Sequence, residues 1–234
     1  MKPPVPVPVA VFASGGGTNL QALLDHEPVS GEYRVAMVLS DREGATALER
    51  GLSVSRDAYV IETDARSLTD VGRQMLERLA DHDVQVILLA GYLKMIPPAV
   101  VAAYERRILN IHPALLPAFG GKGMYGPRVH ETVLASGVEV TGVTVHYVDE
   151  DYDTGTIVAQ KSVPVRPGDD VGSLAARVLK VEHQLYPAVA DHVCRAVAEG
   201  VEPGPFDVTH FDFAPVTPHP QTDRSKSSEE TEQT

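Results

Sequence analysis

Apolar positions along this chain come in two rhythms. Val5 to Ala13 is a near-continuous apolar run with Pro6 and Pro8 close to its start, the end of a strand at which a missing N–H is tolerated. Arg34 to Leu39, Ala58 to Ile61, Val84 to Ala90 and Ile108 to Ile111 repeat the theme. Such short apolar runs suit parallel strands buried on both faces. Between them stand stretches with helical character. Leu20 to His26 is the first, and Ala45 to Gly51 closes on its glycine. Leu68 to Asp81 carries apolar residues at Leu68, Val71, Met75, Leu76 and Leu79, and Ala99 to Arg106 is opened by Pro97-Pro98. Strand alternating with helix predicts an α/β fold: an open, mainly parallel twisted sheet flanked by helices, Rossmann-like in the N-terminal half, with right-handed crossovers.

The second half changes character. Val129 to Ser136 is helical and stops at Gly137. Val140 to Val148 and Ile157 to Val165 read as an antiparallel strand pair joined by an acidic loop, 149–156. Val171 to Val197 is a long helical region, predicted to break near Pro187. Periodicity fades after Gly200. From about Pro215 no core-forming pattern remains, and Gln221 to Thr234 is expected to be a disordered tail. The chain shows no internal repeat.

Length and charge narrow the function classes. At 234 residues and 43% hydrophobic, the chain suffices for one large domain or two small ones with a real core. No apolar run approaches the ~18 residues of a membrane span. Met1 to Pro6 holds one positive charge and three prolines, unlike a signal peptide. Cys194 is the single cysteine, so no intramolecular disulfide forms, and a reducing, cytoplasmic location is expected. A net charge of −12 argues against a nucleic-acid partner but leaves room for a small phosphorylated ligand.

Two segments carry candidate chemistry. Ser14-Gly15-Gly16-Gly17-Thr18-Asn19 lies between the first strand and the first helix, where a phosphate meets a helix N-terminus in α/β sheets. Leu20 occupies the third glycine position of a dinucleotide fingerprint, and the Gly-Lys-Ser/Thr ending of a Walker loop is absent. Thr18 and Gln21 have capping-box spacing. Taken alone, the turn serves a phosphate or is simply a tight turn. The second segment is Asn110-Ile111-His112-Pro113, with Asp153 downstream in Asp-Thr-Gly. Asn110 and His112 are two apart on extended backbone and point the same way. Singly, each is an ordinary structural residue and Asp153 an ordinary turn former. Together they supply what acyl transfer to an amine needs: an amide to hold the carbonyl, an imidazole to shuttle a proton and a carboxylate to set the imidazole's charge. A carboxylate close to His112 is expected to raise its pKa and favour the cation. His146 sits on the strand 143–148, His130 is assigned to an exposed helix face and Cys194 to the core. No histidine pair has metal-ligand spacing with a third ligand, so no metal is expected.

Six segments then occur in order: Ser-Gly-Gly-Gly-Thr-Asn-Leu-Gln-Ala-Leu (14–23), Leu-Ala-Gly-Tyr-Leu-Lys-Met-Ile (89–96), Asn-Ile-His-Pro-Ala-Leu-Leu-Pro (110–117), Thr-Val-His-Tyr-Val-Asp (144–149), Asp-Thr-Gly-Thr-Ile-Val-Ala-Gln (153–160) and Glu-His-Gln-Leu-Tyr-Pro (182–187). From about Val7 to Gly200 the chain resembles the phosphoribosylglycinamide formyltransferases, folate-dependent enzymes of purine synthesis. The resemblance implies one catalytic domain over 1–214, with a nucleotide-binding half to about 108 and a folate and catalytic half from about 109. It implies 10-formyltetrahydrofolate as formyl donor and N1-(5-phosphoribosyl)glycinamide as acceptor. Asn110, His112 and Asp153 match the catalytic trio, with His146 in support. Gly17, Thr18 and Asn19 match the phosphate turn, and Glu182 a ribonucleotide contact. Leu93, Lys94, Met95, Ile96, Asp149, Asp153, Asn110 and Arg66 match folate contacts.

The match has departures. The glycine-rich loop Ala118 to Gly126 is longer than in some relatives and is a candidate lid. Lys94 stands where several relatives have arginine, and Leu179 where some have glutamine. The expected mechanism is direct amine attack, with Asn110 and protonated His112 holding the oxyanion and Asp153 aiding proton relay. The competing readings are a 10-formyltetrahydrofolate hydrolase, whose relatives usually carry an extra N-terminal domain, transfer to methionyl-tRNA, which would need an RNA-binding domain, and a non-catalytic nucleotide-binding module. Small-molecule substrates, no nucleic acid, no membrane and a monomer or homodimer complete the expectation.

Overall fold

The computed structural model describes residues 5–64 and 66–214. The tail expected over 215–234 lies outside the described residues. Among the described residues seven strands form one mixed sheet: β1 (Val7–Phe12), β2 (Tyr33–Ser40), β3 (Asp57–Val60), β4 (Val86–Leu89), β5 (Ile108–His112), β6 (Val140–Tyr147) and β7 (Ile157–Pro164). Their order is β3-β2-β1-β4-β5-β6-β7. The strands from β3 to β5 pair in parallel, while β5–β6 and β6–β7 are antiparallel. The helices are α1 (Thr18–Ser30), α2 (Thr46–Ser53), α3 (Leu68–Asp81), α4 (Pro98–Ala103), α5 (Pro127–Ser136) and α6 (Val171–Glu199).

Alternation along β1 divides the core. Val7, Val9 and Val11 pack into the layer that holds Leu20, Leu23, Val129, Leu185 and Tyr186, so α1, α5 and α6 cover that face. Ala10 and Phe12 face the other way, onto Val71, Met75, Leu79 and Val100 of α3 and α4. This two-face burial makes the parallel strands continuously apolar. Fully burying each Leu or Val stabilises by roughly 1.5–3 kcal/mol, and both clusters consist largely of such buried side chains.

Three local expectations need correction. α6 does not break at Pro187 but runs unbroken from Val171 to Glu199. A proline in a helix interior costs ~3 kcal/mol or more through the lost N–H and its ring clash. Here the loss is offset by burial: Leu185, Tyr186, Pro187, Ala188, Val189 and Ala190 are all buried. The Tyr186 hydroxyl also donates to the Leu89 and Leu109 carbonyls, tying the helix to β4 and β5. α1 likewise continues past His26 through Pro28 to Ser30. The Thr18–Gln21 capping box does not form. Gly17 is the N-cap, in left-handed conformation, and no side chain caps the helix. The Gln21 amide is engaged elsewhere, accepting from Arg50 and donating to Asp25.

The sheet order creates the site. The chain leaves β1 to one side for β2 and β3, then crosses back to β4 on the other side. The crevice outside the C-terminal strand ends at such a switch point is the usual ligand position in open α/β sheets. Ser14, just after β1, donates its N–H to Gly91 after β4, and its hydroxyl accepts from the Leu93 N–H.

Candidate active site

A cleft of about 560 Å³ opens across these strand ends. At one end lies the glycine turn. Gly15 to Asn19 all line the cleft. The helical ladder of α1 starts only with the Gln21 N–H bonding the Gly17 carbonyl. The N–H groups of Thr18, Asn19 and Leu20 therefore have no partner within the helix, as at any helix start. The Asn19 amide donates to the Glu182 carboxylate of α6 at 2.6 Å. Glu182 is buried, and burial pushes its carboxyl above the ordinary range against the pull of the Asn19 bond.

At the other end β5 delivers Asn110 and His112. Antiparallel register sets Asn110 opposite His146 and His112 opposite Thr144. Asn110 Nδ2 lies 3.1 Å from His146 Nε2 and donates at 3.4 Å to Asp153 Oδ1. The other His146 nitrogen, Nδ1, is 2.7 Å from the Tyr147 carbonyl. A carbonyl only accepts, so His146 Nδ1 donates to it, while Nε2 faces both Asn110 Nδ2 and, at 3.6 Å, Asp153 Oδ1. The same reasoning applies to His112. Its Nε2 is 2.8 Å from the Phe119 carbonyl and carries the proton, while Nδ1 faces Asp153 Oδ2 at 3.6 Å. Asp153 stands in left-handed conformation at φ 60, and Phe119 at φ 58. The Gly121 N–H donates to Asp153 Oδ2 at 2.8 Å.

The charge expected on His112 is corrected here. Asp153 does approach, yet burial is the larger effect and pushes the imidazole below its ordinary 6.5, against the Asp153 charge and the Phe119 bond. The resting His112 imidazole is thus biased toward its neutral form. Burial raises Asp153, but its contact with His146, the charge of His112 and the Gly121 N–H together hold the carboxyl below the usual range. His130 is also corrected. It is buried on α5 and lines the cleft, with its pKa lowered by burial and by His112.

The remaining predicted residues divide. Leu93, Lys94, Met95, Ile96, Asp149, Leu179 and Glu182 all line the cleft. Lys94 Nζ pairs with Asp64. Arg66 is not brought to this lining: its guanidinium donates to Gln74 of α3. The candidate lid contributes Gly121 to Gly126 to the lining. Sequence reasoning missed the Phe119 carbonyl and the Gly121 N–H, since backbone groups leave no side-chain signal. It also missed Tyr92, a cleft residue whose neighbours in the 89–96 segment were noticed. Among the described residues no cluster of three or more His, Cys, Asp or Glu is placed to hold a metal ion.

A family profile described as formyl transferase matches residues 7–190. The chain is 43% identical over 192 residues to the chloroplastic phosphoribosylglycinamide formyltransferase of Vigna unguiculata, a match covering 80% of this chain and 60% of that protein. It is 36% identical over 182 residues to phosphoribosylglycinamide formyltransferase of Bacillus subtilis, covering 77% of this chain and 91% of that one. The chain thus spans less than two thirds of the plant relative and nearly all of the bacterial one. The crystal structure of glycinamide ribonucleotide transformylase 1 from Geobacillus kaustophilus superposes with TM-score 0.74 at 41% identity, covering 80% of this chain and 98% of that one. The profile takes in the glycine turn, β5 with Asn110 and His112, Asp153 and Glu182, and on it this chain belongs to the formyl transferase family.

Proposed function

We propose that this chain is a phosphoribosylglycinamide formyltransferase. It moves the formyl group of 10-formyltetrahydrofolate to the primary amine of N1-(5-phosphoribosyl)glycinamide, releasing tetrahydrofolate in purine synthesis. One observation carries the reading: a single cleft has free helix-start N–H groups at one end and the Asn110, His112, His146 and Asp153 cluster at the other. The first suits the acceptor's phosphate, and the second suits the transfer. Glu182, which accepts from Asn19 of the glycine turn, is a further contact suited to the ribonucleotide. The segment 93–96 and the loop 149–153 offer an apolar and polar pair of walls for a flat pteridine.

In the proposed reaction the neutral amine attacks the formyl carbon, and the carbonyl oxygen takes the negative charge. Asn110 is the donor nearest to hand: its N–H toward Asp153 is long, at 3.4 Å, and free to turn to the oxyanion. His112 Nδ1, unprotonated at rest, accepts the proton that the amine must lose. The imidazolium so formed gains the Asp153 carboxylate 3.6 Å away and stabilises the oxyanion. It then returns the proton to N10 as the bond from N10 to the formyl carbon breaks. No covalent acyl-enzyme is involved, and Cys194 is a buried thiol raised above its ordinary range by burial. The reaction is placed in the cytoplasm, in a monomer or homodimer.

Formyl transfer measured with both substrates tests the proposal. Formate release without ribonucleotide would instead identify a hydrolase, and ligand binding without turnover a non-catalytic module.

A further inference from the structure

The glycine turn is gripped from behind by α2. The Ala47 N–H donates to the Gly15 carbonyl at 3.1 Å. Arg50 Nε, on the same helix face three residues on, donates to the Gly16 carbonyl at 2.8 Å. Arg50 Nη1 donates to Gln21 Oε1 at 2.9 Å, on the first turn of α1. In a trans peptide the N–H points opposite to the C=O. Turning the Gly15 and Gly16 carbonyls toward α2 therefore turns the Gly16 and Gly17 N–H groups away from it, and both residues line the cleft. Gly17 leaves no slack, since a Cβ there would lie 2.8 Å from the Ala47 Cα. Arg50 itself does not line that cleft. It borders a second cavity of about 710 Å³, with Thr18, Gln21 and His183.

We propose that Arg50 is a positioning residue for the acceptor's phosphate: its guanidinium fork bridges the Gly16 carbonyl and Gln21, and so keeps the turn's N–H groups aimed into the cleft. It acts through the turn without touching the ligand. This rests on the turn being the phosphate seat. The fork is what matters, because one planar group reaches a backbone oxygen and a side-chain oxygen on two elements at once. Lysine, with the same charge on a single ammonium, lacks that geometry.

The test uses the full chain and the variants Arg50→Ala and Arg50→Lys. For both, the KM for the ribonucleotide should rise about tenfold, the size of one charge-assisted hydrogen bond, with kcat and the folate KM unchanged. Full restoration by lysine would overturn the proposal in favour of simple charge attraction. Equal falls in kcat and in affinity for both substrates would overturn it in favour of a general structural role. Should Arg50→Ala fail to fold, Arg50→Lys and Gln21→Ala, which removes one arm of the bridge, carry the same readout. Inorganic phosphate titrated against the Gly15 to Leu20 amide resonances separates the two layers. If those amides do not move in the unmodified protein, the phosphate seat is wrong. If they move equally in the unmodified and Arg50→Ala proteins, the seat stands and the role of Arg50 falls.

Discussion

Gly17→Ala isolates what the glycine turn requires. Gly17 has φ +69, and a Cβ built there meets both Cα and Cβ of Ala47 at 2.8 Å. Left-handed backbone costs a residue with a Cβ roughly 1–2 kcal/mol. Overpacking a methyl against a neighbour that cannot move adds roughly 1–3 kcal/mol, and the Ala47 Cα is backbone of α2. If the turn holds its place, the variant loses roughly 2–5 kcal/mol of stability by these two effects. If the turn instead swings off α2, stability is partly kept. The Ala47 and Arg50 bonds to Gly15 and Gly16 then break, and the N–H groups lose their aim. The ribonucleotide KM then rises. Gly16→Ala is the control, because its Cβ would meet nothing within 4 Å and its φ is outside the left-handed range. It should stay within about 1 kcal/mol of the unmodified protein, since Gly→Ala at a compatible site also reduces unfolded-state entropy. Urea denaturation midpoints and steady-state kinetics on the three proteins make the comparison. Equal stability and equal ribonucleotide KM for Gly17→Ala and Gly16→Ala would refute the steric argument and the role of the turn together.

Asn110→Ala should lower kcat by ~10²–10³-fold, the usual effect of removing one oxyanion donor, with modest changes in either KM; near-normal turnover in a folded variant would remove Asn110 from the chemistry. Asp153→Asn should lower kcat by ~10²–10⁴-fold, and it should also move the His112 titration further below 6.5, because the charge opposing burial is gone; an upward move in the His112 Cε1 proton titration would contradict the electrostatics. His112 and His130 both have folded pKa values below their ordinary 6.5, so the unfolded chain binds more protons and stability falls as pH drops through 6.5. Glu182, raised by burial, works in the opposite sense above 4.5, so the expected observation is that His112→Gln with His130→Gln flattens the loss of urea midpoint between neutral and mildly acid pH; an unchanged slope would show that these imidazoles are not held neutral.

The sheet was legible because burial on two faces leaves a direct trace. Val84 to Ala90 and Ile108 to Ile111 can hardly be anything but inner strands; β4 falls inside the first run, and β5 covers the second and extends one residue further, to His112. Helix ends were less legible, for physical reasons. Pro28 and Pro187 act locally as breakers, but the helix continues through each; at Pro187 tertiary burial outweighs the lost bond, whereas Pro28 lies exposed in the last turn of α1. The Thr18–Gln21 spacing suggested a cap, yet Arg50, 29 residues beyond Gln21, captures the glutamine. Side chains of the site were visible as Asn110, His112 and Asp153, since amide, imidazole and carboxylate carry recognisable chemistry. Their supports were not. Phe119 and Gly121 act through backbone atoms, and nothing in their side chains announces it. His130 was assigned to a solvent face because helical periodicity alone does not say which face of a short helix meets the cleft.

The charge of His112 shows how a correct contact can lead to a wrong state. From sequence, one effect was in view, a carboxylate raising an imidazole. The fold adds a second and larger one, since His112 is only 3% exposed. The outcome is better suited to transfer than the expected resting cation. A cation beside Asp153 before the reaction would have its stabilisation already in hand and no lone pair for the amine's proton. A neutral imidazole, with its proton committed to the Phe119 carbonyl and Nδ1 toward Asp153, gains that stabilisation only after it has taken the proton. Interactions that strengthen along the reaction lower the barrier, whereas those complete in the ground state do not. The geometry for this comes from two loop residues in left-handed conformation, Phe119 and Asp153, one on each side of the ring. Each such residue costs of order 1–3 kcal/mol, though an aspartate tolerates it better than a phenylalanine. Phe119→Gly should therefore relieve strain while keeping the carbonyl acceptor. If its only effect is a gain in stability with kcat intact, the side chain is incidental. A loss of kcat at full stability would instead show that the strained backbone is what aims the imidazole.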